Sequence, residues 1–122
     1  MGVQCAWWTV LQVSNSVGDV AWYDGNSDDK THDVCGKQAN GYGLCDMSGN
    51  VWEWVWDWEG SFESSSSVDP TGPTSGTQRL IRGGSWDVSA SFVRVYFRYG
   101  WKPSDIDNGL GFRLARSSHS VQ

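Results

Sequence analysis

From Val51 to Trp58 the chain alternates strictly. Trp52, Trp54, Trp56 and Trp58 take every second position, with Val51, Glu53, Val55 and Asp57 between them. A period of two belongs to a strand, which sends successive side chains to opposite faces. The pattern therefore predicts a strand at about Asn50–Trp58 with all of these indoles on one face. So much aromatic surface has to be buried, and in a chain with 15 glycines loops rather than helices must supply much of the cover. A second alternation sets Val93, Val95 and Phe97 against Arg94, Tyr96 and Arg98. It predicts a strand at Val93–Arg98, paired with a final strand at Gly111–Ala115. Arg79–Arg82 reads as a short strand broken at Gly83-Gly84. Ahead of the tryptophans, Ser14–Asp19 reads as a polar turn and Val20–Tyr23 as a short extended piece. Asp24–Asn40 reads as a polar loop and Gly41–Gly49 as a compact turn. Gly60–Gln78, rich in Ser, Pro and Gly, is expected to be the most mobile loop.

A chain of 122 residues holds one small domain at most. Its 9 Trp are far above ordinary usage and its 19% charged residues rather low, which suits strands and long loops held by aromatic packing. With a net charge of −5 and no basic run, nucleic acid and anionic membranes are poor partners. No apolar run of about 18 residues is present to cross a membrane. The N-terminus lacks the basic region and apolar core of a signal peptide, and the compartment stays open. Cys5, Cys35 and Cys45 are odd in number and lack CxxC spacing, so neither a full disulfide framework nor a zinc signature is present. Free thiols are expected, with Cys45 a small buried hydrophobe; a Cys35–Cys45 bridge is the alternative.

Three separated blocks occur in a fixed order: Gly41-Tyr-Gly-Leu-Cys-Asp-Met-Ser-Gly-Asn-Val-Trp-Glu-Trp54, Arg82-Gly-Gly-Ser-Trp86 and Leu110-Gly-Phe-Arg113. With Val20-Ala-Trp-Tyr23 and Asp69-Pro-Thr-Gly-Pro73, they resemble the C-terminal part of the formylglycine-generating-enzyme-like (sulfatase-modifying-factor) family. The resemblance implies an α+β, strand- and loop-rich, C-type-lectin-like fold that lacks part of the family's N-terminal half. It divides the chain into an unmatched segment at 1–13, the family domain at 14–116 and a tail at 117–122.

The family's oxidase uses a pair of cysteines shortly after the Gly-Gly-Ser-aromatic block to bind copper. Soft thiolates are what select copper(I), and here that stretch reads Asp87-Val-Ser-Ala-Ser-Phe-Val93, with no cysteine beyond Cys45. The oxidase reaction is therefore excluded on chemical grounds, and copper is not expected. A second branch of the family needs a cluster of iron-binding histidines. This chain has His32 and His119 alone, so iron is not expected, and His32 reads as a solvated loop residue. No Ser/His/Asp set stands out, and no enzyme is expected.

Calcium is different. The resemblance implies a structural calcium at Asp46, Gly49, Val51 and Glu53, where hard oxygens surround a tight turn. The alternative is an ion pair from Glu53 to Arg79, Arg82 or Arg113. The run Asp24-x-Asn-x-Asp28 lacks the Gly and Glu of a calcium loop at its sixth and twelfth positions and reads as a solvated acidic loop. Arg82, Arg94, Arg98 and Arg113 are assigned to architecture, bridging strands and carbonyl-rich loops.

Residues 87–109 carry more aromatics than a solvated face needs, set among Ser, Gly, Asp and Asn, the composition of adaptable recognition loops. The segment also resembles the variable region of diversity-generating retroelement targets, in which rewritten codons exclude Glu, Gln, Lys, Met and Trp. From Asp87 to Arg116 there is no Glu, Gln or Met, whereas Met47, Glu53, Glu59, Glu63 and Gln78 precede it. Of the excluded types the segment holds Trp101 and Lys102. A catalytically inert domain is therefore expected, binding a protein or glycan through Asp87, Val88, Ser89, Ser91, Phe92, Tyr96, Phe97, Tyr99, Gly100, Ser104, Asp105, Asp107 and Asn108. A generic scaffold domain of the family is the alternative.

Overall fold

A computed structural model describes residues 14, 16–61 and 72–116. Within them the chain makes one helical turn, α1 (Val17–Val20), and strands β1 (Trp52–Trp58), β2 (Arg79–Arg82), β3 (Arg98–Trp101) and β4 (Leu110–Gly111). The strands form a single sheet in the order β3-β2-β1-β4. β2 is antiparallel to β1 and to β3, whereas β4 lies parallel to β1, with Trp52 opposite Leu110 and Glu53 opposite Gly111. The other described residues form turns and loops.

The centre of the sheet is apolar because β2 places Leu80 and Ile81 between two partners, and both are buried. A second cluster joins Val20, Ala21 and Val93, with Val17, Tyr23 and Val88 packed around it. Between the two clusters runs the Gly49-Asn50 turn. Asn50 donates its N–H to the Trp22 carbonyl at 2.9 Å, and its own carbonyl accepts the Trp86 N–H at 2.9 Å. Gly49 has φ +76 and no room for a Cβ against the Trp22 backbone, so only glycine lets the two segments meet there.

Several expectations need correction. The tryptophan strand forms, but its indoles are not equally buried: Trp52 is buried, Trp54 and Trp58 are half-buried, and Trp56 is 73% exposed. The β1–β2 register shifts between Trp54 and Trp58, so a strict alternation of faces does not persist to the strand's end. At that end the loop at Gly76 packs against Trp58, and a cation adds to the cover. The Arg79 guanidinium lies 3.7 Å from the Trp58 ring centre and 4.8 Å from that of Trp56, a cation–π arrangement. Ser16–Ala21 closes a helical turn through Ala21 N–H to Val17 O at 3.0 Å, where a turn followed by an extended segment was expected.

Val93–Arg98 is not a strand. Phe92 N–H bonds Ser89 O and Phe97 N–H bonds Arg94 O, each at 3.0 Å, so consecutive turns carry the apolar positions inward. The strand begins only at Arg98 and pairs with β2, while the final strand shortens to Leu110–Gly111 and pairs with β1. Cys35 and Cys45 form a disulfide, which overturns the free-thiol reading at these positions. His32 is half-buried rather than solvated, stacked on Trp22 with ring centres 3.7 Å apart, its Nε2 2.7 Å from Ser27 O. Of the Gly60–Gln78 loop, residues 62–71 lie outside the described residues, as do 1–13 and 117–122.

Candidate functional site

The segment 87–109 consists of two runs of turns with β3 between them. Ser85, fully buried, ties the runs together: its hydroxyl donates to Asp87, and its side chain fills the space beside Gly109. The first run is anchored by Val93, which is buried beneath Gly84. A Cβ at Gly84 would meet Val93 Cγ1 at 2.6 Å, so the glycine permits the approach. Arg82 reaches from β2 to donate to the Val95 carbonyl at 2.7 Å, and Arg98 donates to Gly60 O at 2.7 Å.

Aromatic rings lead from the core to the surface. Phe97 packs at 5.9 Å from the buried Trp52, and Phe92 meets Phe97 edge-on at 4.9 Å and 81°. Beyond them Phe92 is 40%, Tyr96 66% and Tyr99 57% exposed. Asp87, Ser89, Ser91, Ser104, Asp107 and Asn108 are exposed too. Val88, Phe97 and Asp105 are half-buried and face both ways. Gly100 differs from the rest of the set: it is buried in β3, and a Cβ there would collide with the Glu59 carboxyl. Asp107 has a local duty, its Oδ1 accepting the Gly109 N–H at 2.7 Å. That bond shapes the turn whose Gly109 carbonyl receives the Trp52 N–H.

One surface residue was assigned elsewhere by the sequence. Arg94 is exposed, and its Nη1 donates to the Tyr96 hydroxyl at 2.8 Å. It lies at the surface beside Tyr96, whereas Arg82, Arg98 and Arg113 reach backbone carbonyls of other segments. Its place between Val93 and Val95 in the alternation was the available signal.

The second candidate site is the Asp46–Glu53 turn. Glu53 is held by Arg113, with Nε 2.8 Å from Oε2 and Nη2 2.7 Å from Oε1. The same Nη2 donates to the carbonyls of Cys45 at 3.0 Å and Asp46 at 3.1 Å. Hydrogen bonding to Glu53, and next the charges of Glu53 and Asp46, hold the guanidinium pKa above its ordinary value against the opposing effect of burial. Asp46 is buried; its Oδ2 accepts the Cys35 N–H at 2.7 Å, while its Oδ1 has no hydrogen-bond partner. Among the described residues no three or more His, Cys, Asp and Glu side chains are grouped so as to hold a metal ion.

The profile of the sulfatase-modifying factor enzyme 1-like domain matches residues 7–118. The formylglycine-generating enzyme of Streptomyces coelicolor is 40% identical over 86 residues, 66% of this chain and 27% of that protein. Serine/threonine-protein kinase pkn1 of Chlamydia caviae is 38% identical over 90 residues, 70% of this chain and 15% of that one. Among solved structures, Treponema denticola variable protein 1 superposes with a TM-score of 0.76 at 42% identity, covering 81% of this chain and 37% of its own. PvdO from Pseudomonas aeruginosa gives 0.66 at 29% identity, with 81% and 40% covered. The chain thus spans less than a third of either curated relative and less than half of either solved one.

Proposed function

This chain belongs to the sulfatase-modifying factor enzyme 1-like domain family, and we propose that within it the chain is a non-catalytic ligand-binding domain of C-type-lectin-like fold. Its binding face is residues 87–109, and the face is diversified in the manner of retroelement variable proteins. The observation that carries this reading is the division of labour inside the segment. Phe92, Tyr96 and Tyr99 open to solvent while Val93, between the first two, and Gly100, next to the last, are buried. Such a segment tolerates change at its open positions without disturbing its anchors. The likeness to Treponema denticola variable protein 1 and the lack of Glu, Gln and Met from Asp87 to Arg116 support the same reading. A rigid aromatic footing also suits recognition, because side chains that are already ordered lose less entropy on binding.

Oxidase chemistry has no footing in these residues. The stretch after Trp86 offers no thiol, and Cys35 and Cys45 are bonded to each other. Sequencing this gene across a population of its host tests the proposal. Substitutions concentrated at the open positions of 87–109, sparing Val93, Arg98 and Arg113, are the expected result. A segment as invariant as Gly49–Trp54 would end the diversification idea and leave a fixed scaffold domain.

A further inference from the structure

The sequence predicts a final strand at Gly111–Ala115, yet the ladder stops at Gly111. We propose that a second copy of this chain completes it, paired antiparallel along the open side of β4 about a two-fold axis at Phe112. The sheet runs β3-β2-β1-β4, so β4 is an edge. Gly109 turns its carbonyl toward β1, where it accepts the Trp52 N–H. Backbone groups alternate sides along a strand, so Leu110, Phe112 and Leu114 turn theirs outward. The Leu110 N–H is taken by the Asp107 carbonyl at 3.2 Å. Among the described residues the backbone groups of Phe112 and Leu114 have no hydrogen-bond partner, which leaves them to receive an added strand.

Side chains select the occupant. Gly111 stands opposite Glu53, which Arg113 holds, so Gly111 and Arg113 share the Glu53 side of the sheet. Leu110 stands opposite the buried Trp52, so Phe112 and Leu114 take the Trp52 side with it. Phe112 is 72% and Leu114 90% exposed. Scattered surface hydrophobics are ordinary, but two in step on an unpaired edge are a template for association. With the axis at Phe112, the two copies set Phe112 against Phe112 and Leu114 against Leu110, while Arg113 falls against Gly111. All of the apolar groups then gather on the Trp52 side. An axis at Arg113 would instead place two guanidiniums directly opposite each other, which is unfavourable. The contact is isologous, so it closes as a dimer and uses up both β4 edges.

Sedimentation equilibrium of the full chain is the test. The expected result is a reversible rise to twice the 13.5 kDa of one chain, between about 1 and about 200 µM, as suits a small interface. Phe112→Asp should raise the dimer Kd about 100-fold or more, because two rings lose their cover and two carboxylates meet. Tyr42→Asp, at a residue 60% exposed on another loop, should leave it unchanged. Phe112→Cys in a Cys5→Ser background should cross-link to itself on oxidation, since facing hydrogen-bonded residues lie about 5.5 Å apart, within reach of a disulfide. Leu114→Cys in that background should not. A wild-type chain that stays monomeric throughout overturns the proposal, and that measurement needs no variant to fold. A dimer that Phe112→Asp does not weaken overturns it too. So does a monomer whose Phe112 and Leu114 amides resist hydrogen exchange, because another segment of the same chain would then hold the edge.

Discussion

The ring of Phe97 lies 5.9 Å from that of Trp52, centre to centre, and this contact roots the display segment in the buried side of β1. Phe92 stands edge-on to Phe97 at 4.9 Å, so the row of rings starts in the core and ends in solvent.

A difference between neighbours follows. Phe97→Ala should cost about 2–3 kcal/mol, less than the loss of a fully buried ring. Tyr96→Ala and Tyr99→Ala should each cost less than about 1 kcal/mol and instead remove ligand binding. Urea unfolding of the variants decides. If Tyr96→Ala costs as much as Phe97→Ala, the separation of anchor from display is wrong.

The tryptophans of β1 should likewise separate. Trp52 is buried and Trp56 is 73% exposed, so Trp52→Ala should cost about 3–5 kcal/mol. Trp56→Ala should cost about 1 kcal/mol or less, the worth of its contact with Arg79. Equal costs would mean that the register shift between Trp54 and Trp58 does not turn Trp56 out of the core.

The Cys35–Cys45 bridge spans a sequence separation of 10. For so short a loop the chain-entropy account gives about 2–3 kcal/mol. The double change Cys35→Ser with Cys45→Ser should lose that much stability. Thiol titration in denaturant should rise by two per chain on reduction. An unchanged count would show that the bridge does not form.

The Arg113–Glu53 pair carries a definite sign with pH. A folded-state pKa raised above the unfolded value contributes stability that is fully present below the unfolded pKa. That contribution is lost only as pH climbs through the folded one. For an arginine whose pKa is raised, both lie beyond ordinary buffers. The stability difference between wild type and Arg113→Gln should therefore stay constant from about pH 7 to about pH 10. Thermal melts across that range check it. A difference that shrinks steadily toward alkaline pH would mean that another group carries the effect.

Much of the local structure could be read from the chain. β2 appears at Arg79–Arg82 as expected, because Leu80-Ile81 is a compact apolar step that ends at Gly83-Gly84. β1 is where the alternating tryptophans place it. The Val93–Arg98 alternation misled, since two successive turns also bring every second side chain inward. Nothing in it distinguishes them from a pleat. Asp87 and Gly109, the two ends of the candidate segment, meet at Ser85, which donates to the first and packs beside the second.

By itself the sequence determined the family resemblance, the poverty of helix, the lack of thiols where oxidase chemistry would need them, and the place of β1 and β2. These depend on residue type and short-range period, which a linear reading preserves. Tertiary structure decided the rest. It chose Arg113 among three arginines as the partner of Glu53, across a separation of 60 residues. It paired Cys35 with Cys45, exposed Trp56, buried Gly100 and turned Arg94 outward. Each of these outcomes rests on contacts between segments distant in the chain, whose energies depend on the positions of both partners at once. No local pattern records such a dependence.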